Sequence, residues 1–401
     1  MARQVTIAMV AGEASGDQLA APLVAELFRR LPGARFVGIG GPRMQSVGFQ
    51  SWYPMETLSV RGYAEAARSV PAILAIRRQL AARLIADPPD IFIGVDAPDF
   101  NLGLETRLRA AGIPTVQYVS PSIWAWRGER IHKIKRAVDH VLALFPFEVP
   151  LYEKVQLPAT FVGHPMADEI PEVPDVDAAR EQIRLPASAP VFALLPGSRR
   201  GELEQHAGLF IETARQIVAQ IPAARFLVPL ATRPTRSQFE QALYDHKGQD
   251  LPFTVLFGHS QLAMTAADVV LVASGTASLE AALLRRPMVI TYKVPKLTYR
   301  IMWPRRYLPY IGLPNIMARA FVAPEILQDD ATPDNLSQAL VNLYRDKVVR
   351  DRQAGCFEEM YRGLRRNAAV GAAEAVIPLL RAPSAARRGA LGMAAAGGTR
   401  S

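Results

Sequence analysis

VTIAMVAGEASGDQLAAPLVAELFRR, residues 5–30, decides the fold. Residues 5–10 are a short apolar run of strand character. Residues 18–30 carry a helical pattern. Between them AGEASGD, at 11–17, makes a turn of small and acidic residues. A buried strand that runs through such a turn into a helix is the opening of a parallel α/β unit. The same alternation continues outward. Strands are predicted over 35–39, 91–95, 115–119 and 140–144, and helices over 70–86 and 102–111.

The texture changes at 166–190, which is rich in proline and acid and reads as a linker. Alternation then restarts, with strands over 191–195, 225–229, 253–257, 269–272 and 288–292 and helices over 204–220 and 237–246. From 333 to about 380 the chain reads as helical. The expected architecture is α/β, with two doubly wound, Rossmann-like domains facing a cleft. The boundaries read as 1–168 for the first domain and 169–345 for the second. Helices over 346–380 are expected to pack back on the first, and 381–401 to form a disordered basic tail.

At 401 residues, with 50% hydrophobic and 21% charged residues, the chain is long enough for two cores and too apolar for a disordered protein. The lone cysteine, Cys356, excludes a disulfide framework and a four-cysteine zinc site. The net charge of +9 suits phosphates, anionic lipid or nucleic acid. No nucleic-acid motif accompanies it, so a nucleic-acid partner is not expected. The first apolar run ends at Glu13, and the charge-free stretch 110–126 is broken by prolines. Neither reads as a signal core or a spanning helix, so a soluble or peripheral cytoplasmic protein is expected.

In a doubly wound sheet, ligands bind beyond the carboxyl ends of the strands. Four stretches fall there. The first is 11–17, with Glu13, Ser15 and Asp17; Ser15 and Asp17 could equally cap the helix. The second is GVDAPDF at 94–100. A carboxylate at Asp96, near an apolar strand, can have raised basicity and act as a general base, while Asp99 reads as a turn or cap residue. The third is PGSRRGE at 196–202, where Ser198, Arg199 and Glu202 form a loop suited to a phosphate, without the Gly-Lys-Ser/Thr ending of an NTPase. The fourth is ASGTASLE at 273–280. Here the N–H groups of Gly275 and Thr276, with Ser274, would face an anion, and Glu280 could accept from two ribose hydroxyls. The simpler reading makes Ser274 an N-cap and Glu280 a first-turn acid.

Two stretches mix apolar and basic residues, as a membrane interface or an acyl chain would require. One holds Ile73, Leu74 and Ile76 and could equally be a helix packed on a sheet. The other, 296–313, holds Met302, Trp303 and Arg305. The six histidines have no metal-ligand spacing, so no metal is expected. His164, near the predicted domain edge, is a candidate for the cleft and could equally be structural, and Tyr118, at the end of a strand, could line the acceptor side.

Taken together, these motifs resemble the lipid-A-disaccharide synthases. The matching stretches are AGEASGD at 11–17, GPRM at 41–44, DAPDFN at 96–101, YVSPSIWAWR at 118–127, FPFE at 145–148, GHPM at 163–166, LPGSR at 195–199, 273–280, and LPN at 313–315. The resemblance implies a GT-B glycosyltransferase. Such an enzyme condenses UDP-2,3-diacylglucosamine with 2,3-diacylglucosamine 1-phosphate, by inversion, into a β-1,6 disaccharide 1-phosphate and UDP. It implies Asp96 as the base, and Ser198, Arg199, Gly275 and Thr276 on the diphosphate. Glu280 would hold the ribose and Asn315 would lie near the donor, with Glu13, Ser15 and Asp17 facing the sugars. No cofactor is implied, and the partners are the two lipid substrates and the inner-membrane surface of a Gram-negative cell. A homodimer stays an open reading. The runner-up is a UDP-sugar 2-epimerase, or another GT-B transferase with a soluble acceptor.

Overall fold

A computed structural model describes residues 4–58, 63–273 and 275–381, with the side chains of 63–69, 297, 301, 302 and 381 outside the description. It forms two compact units. The first takes residues up to Pro165 together with the segment from Arg365, and the second spans Met166–Leu364.

The sheet of the first unit has seven strands: β1 Thr6–Ala11, β2 Arg35–Ile39, β3 Gln50–Ser51, β4 Ile91–Val95, β5 Thr115–Tyr118, β6 His140–Ala143 and β7 Ala159–Phe161. Their order is β3-β2-β1-β4-β5-β6-β7, and every pairing is parallel. The second unit has β8 Val191–Leu195, β9 Arg225–Leu230, β10 Phe253–Phe257, β11 Val269–Ala273, β12 Met288–Tyr292 and β13 Glu325–Leu327. Their order is β10-β9-β8-β11-β12-β13, again all parallel. Strands β4, β8 and β11 are buried at every residue, as helices on both faces of a parallel sheet require. Each sheet reverses its winding at one place, between β1 and β4 in the first unit and between β8 and β11 in the second. The crevice at such a reversal is where ligands enter this architecture.

Three sequence expectations change. The stretch 166–190 is not a linker. It contains the helix Val176–Gln182, whose buried Arg180 donates to Ala266 O at 3.0 Å and Ala187 O at 2.6 Å and pairs with Asp268 at 2.9 Å. That anchors the stretch into the second unit, and the division falls at 165/166 rather than 168/169. The helices expected to act together over 346–380 also separate. Lys347–Leu364 belongs to the second unit, where Gln353 accepts from Met288 N at 2.9 Å beside β12. Ala368–Arg381 belongs to the first, packed along the helix Ala14–Arg30 with Glu374 paired to Arg30 at 3.2 Å. Residues 382–401, expected as a tail, lie outside the described residues.

Several helices start earlier than their apolar pattern. Pro98–Ala110 begins at a proline that follows Ala97 in the left-handed region, φ 41°. Proline has no N–H to satisfy, so it suits the first helical position. Arg233–Asp245 likewise starts with a proline in its first turn and Thr232 capping Thr235 N.

Candidate active site

The reversal point of the first unit is built from the turns that follow β1 and β4. Gly12 lets them touch: a Cβ there would come 2.9 Å from the Ala97 Cβ. Glu13 and Ser15 are exposed at the start of the helix Ala14–Arg30, with Glu13 at its N-cap. Opposite them Asp96 is half-buried at φ 51°. Its own N–H donates to Tyr118 O at 2.9 Å, and its carbonyl accepts from Asn101 Nδ2 at 2.9 Å and Gln117 Nε2 at 3.1 Å. The left-handed turn is therefore held on three sides. Burial raises the Asp96 carboxyl above the usual carboxylate range. The Ala97 N–H opposes that shift, and the Glu13 charge adds to it. The result is a fixed, partly desolvated carboxylate of increased basicity at the carboxyl edge of a central strand.

Three expected contacts of this unit lie elsewhere. Asp17 is buried, and its carboxylate accepts from Gly41 N at 3.0 Å, Met44 N at 3.0 Å and Arg43 N at 2.9 Å. It caps the helix Pro42–Ser46 inside the fold, so its carboxylate is committed to backbone N–H groups. Tyr118 is fully buried at the end of β5. His164 is buried against Phe145, with ring centroids 5.7 Å apart, and burial pushes its imidazole down to about 4, so it is neutral. Asp99 pairs with Arg130, in keeping with a structural role.

Sequence reasoning passed over Glu148. It is buried and accepts from Phe145 N at 3.1 Å and Trp124 Nε1 at 3.1 Å, tying the loop after β5 to the loop after β6. Burial pushes its carboxyl up to about 7, against those hydrogen bonds and one from Ser120. The motifs that hold these residues, YVSPSIWAWR and FPFE, were the signal. Their joint role is visible only once β5 and β6 are adjacent.

The reversal point of the second unit is built from the turns after β8 and β11. Ser198 and Arg199 are exposed between β8 and the helix Arg200–Gln220. Among the described residues the Arg199 guanidinium has no ion pair. Glu202 was expected on the nucleotide, but its carboxylate accepts from Ser198 N at 2.8 Å and Arg199 N at 3.1 Å. It shapes the loop from behind and repels an anion. The next turn of that helix carries His206, fully buried, which accepts from Lys293 N at 2.9 Å. That bond fixes the tautomer, so Nδ1 donates to Glu202 O at 2.8 Å.

After β11, Gly275 N-caps the helix Thr276–Leu283 with open space beside it, and Gly275 and Thr276 are both exposed. Ser274 lies outside the described residues. Glu280 is half-buried and held by Ser260, whose hydroxyl donates at 3.2 Å and 3.3 Å to the two carboxylate oxygens. Burial raises the Glu280 carboxyl, and hydrogen bonds from Ser260 and Gln261 oppose that. Ser260 had no sequence signal beyond its place after β10. Asn315 is fully buried and committed. It donates to Ala323 O and Glu325 Oε1, both at 2.8 Å, and accepts from Val322 N and Ala323 N, both at 2.9 Å. It builds the chain around 320–325 and offers nothing to a donor.

Residues 7–376 match the lipid-A-disaccharide synthetase family. Over 381 residues the chain is 59% identical to the lipid-A-disaccharide synthase of Dechloromonas aromatica, covering 95% of this chain and 100% of that protein. The corresponding protein of Chromobacterium violaceum is 55% identical over 375 residues, covering 94% and 97%. The chain belongs to the lipid-A-disaccharide synthase family. As a member it is a UDP-sugar-dependent glycosyltransferase. Among solved structures it is similar in fold to Acinetobacter baumannii MurG, with TM-score 0.56 and 14% identity over 94% of this chain and 100% of that one. It is also similar to a UDP-GlcNAc 2-epimerase from Neisseria meningitidis bound to UDP-GlcNAc, with TM-score 0.61 and 11% identity over 94% and 98%. At that identity the epimerase shares the fold alone. The Dechloromonas aromatica and Chromobacterium violaceum relatives are both lipid-A-disaccharide synthases, and the epimerase alternative is not favoured.

Of the stretches read as acyl contacts in this lipid-A-disaccharide synthase, the first packs partly on the core. Ile73 and Ile76 sit against the core of the first unit with Leu80 and Leu84, and Leu74 is half-buried. In the second, the Trp303 ring is tilted 32° to that of Tyr299 with centroids 4.8 Å apart, and the Arg306 guanidinium lies 3.3 Å from the Trp303 centroid. Arg305 is exposed beside it, as are Lys296, Arg300, Tyr307 and Phe321. The Met302 side chain lies outside the description. Among the described residues no cluster of side chains could hold a metal ion, and no helix is long and apolar enough to cross a membrane.

Proposed function

We propose that this synthase joins UDP-2,3-diacylglucosamine to the 6-hydroxyl of 2,3-diacylglucosamine 1-phosphate, with Asp96 as the base. The observation that carries this reading is the Asp96 turn, rigid, partly desolvated and raised in basicity beside Glu13. In a single displacement the Asp96 carboxylate takes the proton of the acceptor hydroxyl. The hydroxyl oxygen bonds to the anomeric carbon as the bond from that carbon to the diphosphate oxygen breaks, and UDP leaves with the electron pair. Configuration inverts, giving the β-1,6 disaccharide 1-phosphate.

The charge on UDP falls to the second unit. The Arg199 guanidinium, the Ser198 hydroxyl and the N–H groups at the start of Thr276–Leu283 hold the diphosphate. Glu280, oriented by Ser260, accepts from the ribose hydroxyls. These groups supply positive charge without a divalent cation, so no metal or other cofactor is proposed. The basic residues around Trp303, with Arg305 exposed, support contact with acyl chains or anionic lipid, and with it a peripheral position on the cytoplasmic face of the inner membrane. No nucleic acid takes part.

Arg199→Ala is expected to weaken UDP binding by about 10- to 30-fold, the size of a charge-assisted hydrogen bond to phosphate. Titration calorimetry with UDP reads this directly, and unchanged affinity would remove Arg199 from the diphosphate.

A further inference from the structure

The Asp96 turn rests on a group that none of the motifs identifies. The helix Pro98–Ala110 lies on the sheet over β4 and β5, and Glu105, one turn beyond Asn101, points into it. Glu105 is completely buried, and neither of its carboxyl oxygens has a hydrogen-bond partner among the described residues. It occupies a slot left by Gly94 in β4. A Cβ at Gly94 would collide with Glu105 Oε1 and would come 3.0 and 3.1 Å from Asn101 Cβ and Cγ. Glu105 and Asn101 therefore crowd one point of the sheet face. Gln117 stands beside that point, because it is in register with Gly94 across the parallel pair β4 and β5.

The donors and acceptors at this spot do not balance. Asn101 turns its Nδ2 toward Asp96 O, and toward Val10 O and Val95 O at 3.3 and 3.4 Å. Gln117 turns its Nε2 toward Asp96 O, Tyr118 O and Val119 O. Both amides point their nitrogens up to the turn, which leaves Asn101 Oδ1 and Gln117 Oε1 buried without a donor, next to a carboxyl that also has none. Acceptors packed together with no hydrogen are unfavourable, and a single proton resolves the arrangement. Glu105 is the one group of the three that can carry it. Burial without any charged partner raises its carboxyl well above the usual range, consistent with a neutral acid.

We propose that Glu105 is a positioning residue whose carboxyl O–H donates to Asn101 Oδ1, fixing the amide that clamps the Asp96 carbonyl and so the aim of the Asp96 carboxyl. This rests on the assignment of Asp96 as the base.

Two substitutions separate this role from simple packing. Glu105→Gln keeps a donor, and its kcat stays within about threefold of wild type. Glu105→Met keeps the volume and loses the donor. Its kcat falls about 10- to 100-fold, with KM for both substrates and the Kd for UDP within about twofold, because only the reacting geometry is disturbed. Its thermal midpoint is unchanged or higher, since an apolar side chain replaces a polar group buried without a partner. Amide exchange across the peptide 94–101, followed by mass spectrometry, speeds up in the Met variant and not in the Gln variant. Wild-type kcat and exchange in Glu105→Met, or equal losses in both variants, overturn the proposal. Asp96→Asn measured in the same series keeps the two ideas apart. Full activity there removes the base assignment, whereas the exchange difference between Met and Gln still reports on the clamp.

Discussion

Asp96→Asn is expected to lower kcat by about 10²- to 10⁴-fold while leaving UDP affinity unchanged. Asparagine has the same size and still accepts a hydrogen bond, but it cannot take a proton. The turn itself is held through the backbone, by Tyr118 O, Asn101 and Gln117, so it survives the substitution. The loss therefore isolates proton transfer from folding and from donor binding, which is proposed to lie on the second unit. The pH dependence carries the same signature. The base works only as a carboxylate, so activity falls as the pH drops through its pKa. Burial and the Glu13 charge raise that pKa, so the acid limb of the wild-type profile lies above the ordinary carboxylate range. Asp96→Asn removes that limb from the residual activity. A variant within a few-fold of wild type would exclude Asp96 as the base.

Asp17→Ala is expected to destabilise the first unit by about 3–5 kcal/mol, because one buried carboxylate satisfies three backbone N–H groups and each would lose a charged acceptor. For a domain of this size that lowers the thermal midpoint by roughly 10 °C. Asp17→Asn keeps one accepting oxygen and should fall between the two. The protein that remains folded should turn over within a few-fold of wild type, since the Asp17 carboxylate is committed to backbone N–H groups. Calorimetry and kcat on the same preparation check both parts. A stable variant with lost turnover would return Asp17 to the sugar site.

The alternation of strands and helices was legible because parallel strands buried on both faces are continuous apolar runs, as β4, β8 and β11 are. The edge strands β3, β7 and β13 have only two or three residues, too few for any pattern. Helix starts were missed where the cap lies outside the apolar stripe, as with Pro98 after a left-handed Ala97. Placement was legible: Glu13, Asp96, Ser198, Arg199 and Gly275 sit on turns at the two winding reversals, and Glu280 sits on the helix that follows Gly275. The commitment of each polar group was not. Asp17, Glu202 and Asn315 have the residue types of a binding site, yet their capacity is taken by backbone groups up to 27 residues away. Glu105 and Glu148 became visible for the converse reason, as acids buried where a sequence pattern shows only one more charge on a helix or a loop.

The proposed reaction links two diacylglucosamine units and releases UDP from the donor. The most direct measurement is purified protein incubated with UDP-2,3-diacylglucosamine, with and without 2,3-diacylglucosamine 1-phosphate, with UDP release and products followed by mass spectrometry. A disaccharide 1-phosphate and equimolar UDP are expected only when both substrates are present. UDP released at the same rate without the acceptor, or no disaccharide when both are supplied, would contradict it.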